Sequence, residues 1–327
     1  MITAVLTGLV AGTAMGYVLY RGRLCFHATF AGPYERRWLL ARAWLLGVAV
    51  ASVGLAVLFG TPLAAGLNRG LPFAPVADLV GGLLIGVGMA VARSCVSGLL
   101  FKLGSGMLGA LVGLAGWVAG ELAVHDLVLP GPTVLPGGRG ATVPGVLGLP
   151  TLAVSVVFLV IVAAALRWRR GAERPDRAWQ WNWPTAGVAL GAVTVAGWVL
   201  AAVGGAGFGP STVGAATGVL DGNPNWWLIA FLGGIVAGGA VAARTSGGFL
   251  VRGETKVRYA QLAVGGALLG AGGWLAGGCN LGHALSGAAQ LNVSSWVVVA
   301  AIVAGIGLAR AAQRMAGVRQ VPAGTTY

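Results

Sequence analysis

The sequence predicts an all-α polytopic membrane protein of about nine transmembrane helices with short re-entrant helices, built as an inverted repeat. Three observations lead there. Charged residues make up 9% of the chain against 57% apolar, and mean hydropathy is +0.85; a soluble domain carries roughly 25% charged residues. Nine apolar stretches approach the ~20 residues that cross a bilayer. A cysteine motif also recurs with identical spacing, as Gly86-x-Gly88-x6-Cys95-x-x-Gly98 and Gly270-x-Gly272-x6-Cys279-x-x-Gly282.

Each expected span has its own punctuation. The first, 2–20, stops where Arg21-Gly22-Arg23 interrupts the apolar run ahead of Cys25. The second, 38–59, follows the basic residues Arg36 and Arg37. The third, 76–92, is glycine-rich and leads into Arg93-Ser94-Cys95. The fourth, 107–124, carries Glu121, read with His125 and Asp126 as interfacial. The fifth, 151–167, runs into the basic loop Arg167-Trp168-Arg169-Arg170 through Arg177. The sixth, 184–203, is followed by the break Phe208-Gly209-Pro210-Ser211, and the seventh covers 225–243. The eighth, 259–276, is again glycine-rich and delivers Cys279; the ninth is 294–310.

A net charge of +13 raises nucleic acid as a partner, but the distribution fits topology instead. With the N-terminus outside, only Arg69 and Arg139 of the 21 Lys and Arg fall on the outer side. The others, from Arg21 through Arg93, Lys102, Arg174, Arg244, Arg252, Lys256 and Arg258 to Arg310, Arg314 and Arg319, lie on or beside the cytoplasmic side. That is the positive-inside pattern, and it predicts N-out, C-in in the cell inner (plasma) membrane with no nucleic-acid partner. Met1-Ile2-Thr3-Ala4 lacks the basic n-region of a cleavable signal peptide.

The duplication extends beyond the cysteines. Gly16-Tyr17-Val18-Leu19 resembles Gly197-Trp198-Val199-Leu200 at an offset of 181, Trp44-Leu45 matches Trp227-Leu228 at 183, and the cysteine motifs match at 184. A near-constant offset marks an internal repeat. The expected organisation is a first membrane repeat at 1–130, a connector with the fifth helix and basic loop at 131–183, a second repeat at 184–315, and a cytoplasmic tail at 316–327. An odd connecting helix inserts the second repeat upside down, as in many transporters that bind substrate between their halves.

Irregular backbone survives at membrane depth only where it lines a cavity or is buried in protein. Segments around Cys25, Cys95, 208–211 and Cys279 all look broken, two per half, and 208–211 takes the place of Cys25 without a cysteine. A short helix beginning after each break would aim free amides at the lumen, which favours an anion. Neutral thiols there would act as weak donors to a soft acceptor such as sulfur. Cys25, Cys95 and Cys279 are therefore the candidate substrate ligands, with Gly22, Gly98, Gly278, Gly282 and His283 shaping the path beside them.

At Gly22-Arg23-Leu24-Cys25-Phe26, Arg93-Ser94-Cys95-x-x-Gly98 and Ala276-Gly277-Gly278-Cys279-x-x-Gly282-His283, the chain resembles the YeeE/YedE family of sulfur transporters over nearly its full length. The resemblance implies an hourglass-like, pseudo-symmetric fold and uptake of thiosulfate. It implies that Cys25, Cys95 and Cys279 meet the substrate sulfur in turn through S–H···S hydrogen bonds, and that a small cytoplasmic TusA-like sulfurtransferase cooperates. Family members are also associated with selenium and other sulfur compounds.

Two rivals remain from the residues. Cys25 with His27, and Cys279 with His283, have short spacings that suit a soft metal ion as cargo. A thiol-redox membrane enzyme is the second, but no vicinal C-x-x-C pair exists and three cysteines leave one over. No G-x-x-x-x-G-K-[ST] motif is present. The expectation is a transporter and not an enzyme, without a catalytic residue, resident metal or cofactor, and with membrane lipid around it.

Overall fold

The computed structural model describes residues 1–168, 175 and 177–317. Arg169, Arg170, Arg174 and Arg319, counted above with the cytoplasmic charges, lie outside the described residues. The helices are α1 (Ile2–Arg21), α2 (Phe26–Ala31), α3 (Leu39–Leu58), α4 (Pro75–Ala92), α5 (Val96–Gly104), α6 (Gly109–Ala123), α7 (Val143–Val146), α8 (Thr151–Trp168), α9 (Trp183–Val203), α10 (Ala215–Leu220), α11 (Trp226–Thr245), α12 (Lys256–Leu275) and α13 (Val293–Met315). A short π-helical turn, Gly282–Gly287, precedes α13. No strand occurs among the described residues, only isolated bridges between loops.

Each of the nine expected spans coincides with a helix, with ends shifted by a few residues. Six stretches are long and apolar enough to cross a membrane: α1, α3, α4 continued to Gly104, α9, α11 and α13. Gly109–Ala123 and Thr151–Arg167 are shorter apolar helices. The remaining span, α12, opens with Lys256 and Arg258, which lower its apolar character. Together these make a multi-pass, all-α membrane protein.

Helix pairing follows a two-fold pattern. α1 packs along α11 as α9 packs along α3, α6 packs on α12 as α13 packs on α4, and α4 faces α12 while α1 meets α9. Exchanging α1, α3, α4, α6 for α9, α11, α12, α13 leaves this set of contacts unchanged, as a two-fold relation requires. Without a hydrophobic drive between helices in lipid, close approach through small residues supplies the packing. Gly8, Gly12 and Gly16 of α1 lie directly on the carbonyls of Trp227, Phe231 and Ile235, leaving no room for a Cβ.

Candidate functional site

Four helices stop inside the protein by the same device. In α1, α4, α9 and α12, the N–H of Leu24, Ser94, Ala206 and Gly278 reaches back five residues to the carbonyls of Leu19, Met89, Ala201 and Gly273. The residue before each of these donors adopts a left-handed conformation: Arg23 (φ 51°), Arg93 (φ 47°), Gly205 (φ 72°) and Gly277 (φ 68°). This is the 6→1 closure that ends many helices. The next residue in three of the four is Cys25, Cys95 or Cys279. In the fourth it is Gly207. The position matching Cys25 is therefore Gly207 and not 208–211, because the helix ends at Val203 and its closure is complete by Ala206.

The breaks converge. Cys25 is the N-cap of α2 and Cys95 that of α5, where its Sγ accepts from Gly98 N at 3.3 Å. Their sulfurs lie 3.7 Å apart, a thiol contact and not a bond. All three cysteines are free and at most 1% exposed. A Cβ on Gly98 would sit 2.8 Å from Ser94 Oγ, 2.9 Å from Cys25 Sγ and 3.1 Å from Cys95 Sγ, so glycine forms the floor of this pair.

Cys279 stands apart from the pair, linked to it through polar neighbours. Cys95 Sγ meets Ser97 Oγ at 3.4 Å, and Asn280 Nδ2 donates to Ser97 Oγ at 3.1 Å. Asn280 Oδ1 is buried with no partner among the described residues. Cys279 Sγ accepts from Leu281 N at 3.3 Å, with Thr212 beside it. Trp44 holds the π-helical turn by donating to Ala284 O at 2.6 Å, and Trp198 donates to Ser286 Oγ at 3.3 Å.

The other sequence candidates fall around this line. His283 sits between Ser295 Oγ, 3.0 Å from Nδ1, and Ala276 O, 2.8 Å from Nε2. Both ring nitrogens are occupied, so His283 is a strut that fixes the loop carrying Cys279, and it offers no nitrogen to a metal beside that thiol. A Cβ on Gly278 would lie 2.8 Å from the His283 ring, and one on Gly282 would lie 3.3 Å from Ser211 Oγ. Gly22 caps α1 and packs on Leu24, away from the sulfurs. His27 is buried in α2. Glu121, in the last turn of α6, is fully buried, and its Oε1 accepts from Gly214 N at 3.0 Å and Thr217 Oγ1 at 3.3 Å. Those bonds tie α6 to Gly214, ahead of α10, and to Thr217 within it.

A cavity opens at each end of the cysteine line. One, of about 800 Å³, is lined by Arg69, Arg139, Ser211 and Trp227, and reaches Gly277 and Gly282 beside Cys279. Burial and the neighbouring Arg139 hold the Arg69 guanidinium below its ordinary pKa. The other, of about 130 Å³, is lined by Tyr20, Arg23, Arg177 and Arg252. No cysteine lines either cavity. The buried thiols thus lie between two cavities that each carry arginines.

Sequence reasoning missed Ser94, Ser97, Asn280 and Lys102 as parts of this centre. The charge pattern groups Lys102 with the cytoplasmic charges, whereas in the structure it is 1% exposed and its Nζ donates to Ser94 Oγ at 3.0 Å. Its spacing of seven residues after Cys95, two turns along one helix face, was the available signal.

The chain is similar to known proteins over most of its length. The chain is 32% identical to the thiosulfate transporter TsuA of Spirochaeta thermophila, over 89% of this chain and 93% of that protein. It is 24% identical to the thiosulfate transporter TsuA of Escherichia coli K12, over 94% of each. Residues 21–308 match the sulphur transport family. Three cysteine-bearing breaks in a pseudo-two-fold helical bundle and a family match over most of its length together place the chain in the sulphur transport (YeeE/YedE) family of membrane transporters.

Proposed function

We propose that the protein takes up thiosulfate across the cell inner membrane, with its N-terminus outside and C-terminus in the cytoplasm. The ion enters from the Arg69 and Arg139 cavity, meets Cys279, and passes to Cys95 and Cys25 by S–H···S hydrogen bonding. Gly22, Gly98, Gly278, Gly282 and His283 keep the backbone in the shape that this path needs. The observation that carries the reading is the buried 3.7 Å contact between two free thiols, set between two basic cavities. The names of both relatives support thiosulfate as the ion.

Segments 1–130 and 184–315 act as the two inverted repeats, joined by the connector 131–183. A cytoplasmic TusA-like sulfurtransferase cooperates with the transporter near the basic inner mouth, and membrane lipid surrounds the bundle. Uptake of labelled thiosulfate into vesicles, competed with sulfate, sulfite and selenite, tests the substrate. Thiosulfate should be taken up, and sulfate, which lacks a terminal soft sulfur, should compete poorly. Equal competition by sulfate would refute sulfur recognition by the thiols.

A further inference from the structure

Sulfur is only one end of the proposed cargo. Thiosulfate is a dianion whose sulfonate oxygens are hard acceptors, and neutral thiols serve those oxygens poorly. A path that recognises the whole ion needs charged or hydroxyl donors next to its soft contacts, because charge-assisted hydrogen bonds are roughly twice as strong as neutral ones.

Such donors lie beside the Cys25–Cys95 pair. Lys102 projects from α5, and its Nζ donates to Ser94 Oγ at 3.0 Å and approaches Arg93 O at 3.5 Å. The same Ser94 Oγ lies 3.9 Å from Cys25 Sγ. Ser94 Oγ thus accepts from the Lys102 ammonium, donates to Cys95 O at 3.3 Å and lies beside Cys25 Sγ. Ser94 and Lys102 are fully buried, and the guanidiniums acting on Lys102 belong to Arg252 and Arg258. An ionisable side chain at membrane depth is costly, and such residues mark ion pathways. The second half offers no equivalent charge: seven residues after Cys279 stands Ser286, whose hydroxyl donates to Pro210 O at 2.7 Å.

We propose that Lys102, positioned by Ser94, forms an oxyanion subsite at the inner thiol pair, holding the sulfonate oxygens of the ion while its terminal sulfur rests on Cys25 and Cys95. This rests on the thiosulfate reading above and deepens it. The subsite explains how a thiol path distinguishes thiosulfate from sulfide, which has no oxygens, as well as from sulfate, which has no soft sulfur. It also places a cationic group beside the thiol pair, where the thiols supply no charge.

The test compares Lys102→Met, Lys102→Arg and Ser94→Ala in vesicles at matched protein levels. Labelled thiosulfate is the substrate, and hydrosulfide, a monoanion with soft sulfur and no oxygens, is the competitor. Lys102→Met should lower thiosulfate Vmax/KM by about tenfold or more, with hydrosulfide inhibition changed by less than about threefold. Lys102→Arg should keep uptake within about threefold, because the charge and donors remain. Thiosulfate uptake by Lys102→Met within about twofold of the parent would overturn the subsite, as would equal losses for dianion and monoanion. Should Lys102→Met fail to accumulate, Ser94→Ala decides by the same ratio. The parent protein separates the two claims: no thiosulfate uptake by the parent refutes the substrate, whereas normal parent uptake with an unchanged dianion-to-monoanion ratio refutes the lysine's role.

Discussion

The two halves of the waist share a backbone but not a chemistry. In the first, Cys25 and Cys95 touch at 3.7 Å, with Ser94 and Lys102 at their side. In the second, Gly207 stands where Cys25 would be, Cys279 is separate, and Ser286 replaces Lys102. The tryptophans diverge as well. Trp44 donates to Ala284 O and pins the re-entrant turn, while its repeat partner Trp227 lines the larger cavity with its Nε1 unbonded among the described residues. The lesson is that helix-ending geometry and glycine packing preserve the two-fold frame. Side chains at the breaks lie outside that packing and differ between the halves.

The largest expected effect comes from wedging the two centres. Gly278→Leu drives a branched side chain into the His283 ring, whose two hydrogen bonds hold the loop, and should reduce thiosulfate uptake to background in vesicles with normal protein content. Gly98→Ala places one methyl against three side-chain atoms of the inner pair. Overpacking costs about 1–3 kcal/mol, so uptake should fall about tenfold. Unchanged uptake by both variants would remove the glycines from the path.

Next in size is the thiol series. A lost weak contact of ~1 kcal/mol slows transport several-fold. Cys25→Ser and Cys95→Ser each break the inner pair and should be more damaging than Cys279→Ser, measured as initial uptake rate. Equal sensitivity at all three positions would erase the contrast between the halves, and near-parental uptake by the triple Ser variant would refute the thiol relay altogether. The smallest effect is expected at the large mouth. Arg69→Gln with Arg139→Gln should raise KM about two- to threefold at low salt, leave Vmax unchanged, and lose that difference at high salt as screening removes steering. A lower Vmax instead would place these guanidiniums at the constriction and not at its entrance.

Much of this was legible from residue order. Apolar runs located nine helices because a lipid-facing helix must satisfy its own backbone, a constraint written residue by residue. The repeat was visible in the matching spacing around Cys95 and Cys279, since the glycines that let α4 and α12 approach recur in the same register. The break after α9 was misplaced by a few residues. Phe208-Gly209-Pro210-Ser211 looks like the obvious interruption, yet the chain has already left the helix at Gly205. Glu121 shows another limit: His125 and Asp126 are its sequence neighbours, while its partners in the structure are Gly214 and Thr217.

By itself, the sequence determined a membrane bundle, its internal duplication and three thiols placed at breaks, because hydropathy, spacing and residue identity are local properties. Only the tertiary structure decided that Cys25 meets Cys95 across 70 residues of chain, that Asn280 reaches Ser97 across 183, and that Lys102 turns inward to Ser94. Those contacts depend on how re-entrant segments from two interlocked halves meet in the middle of the bundle, and the packing of α1 on α11 and α4 on α12 fixes that meeting point.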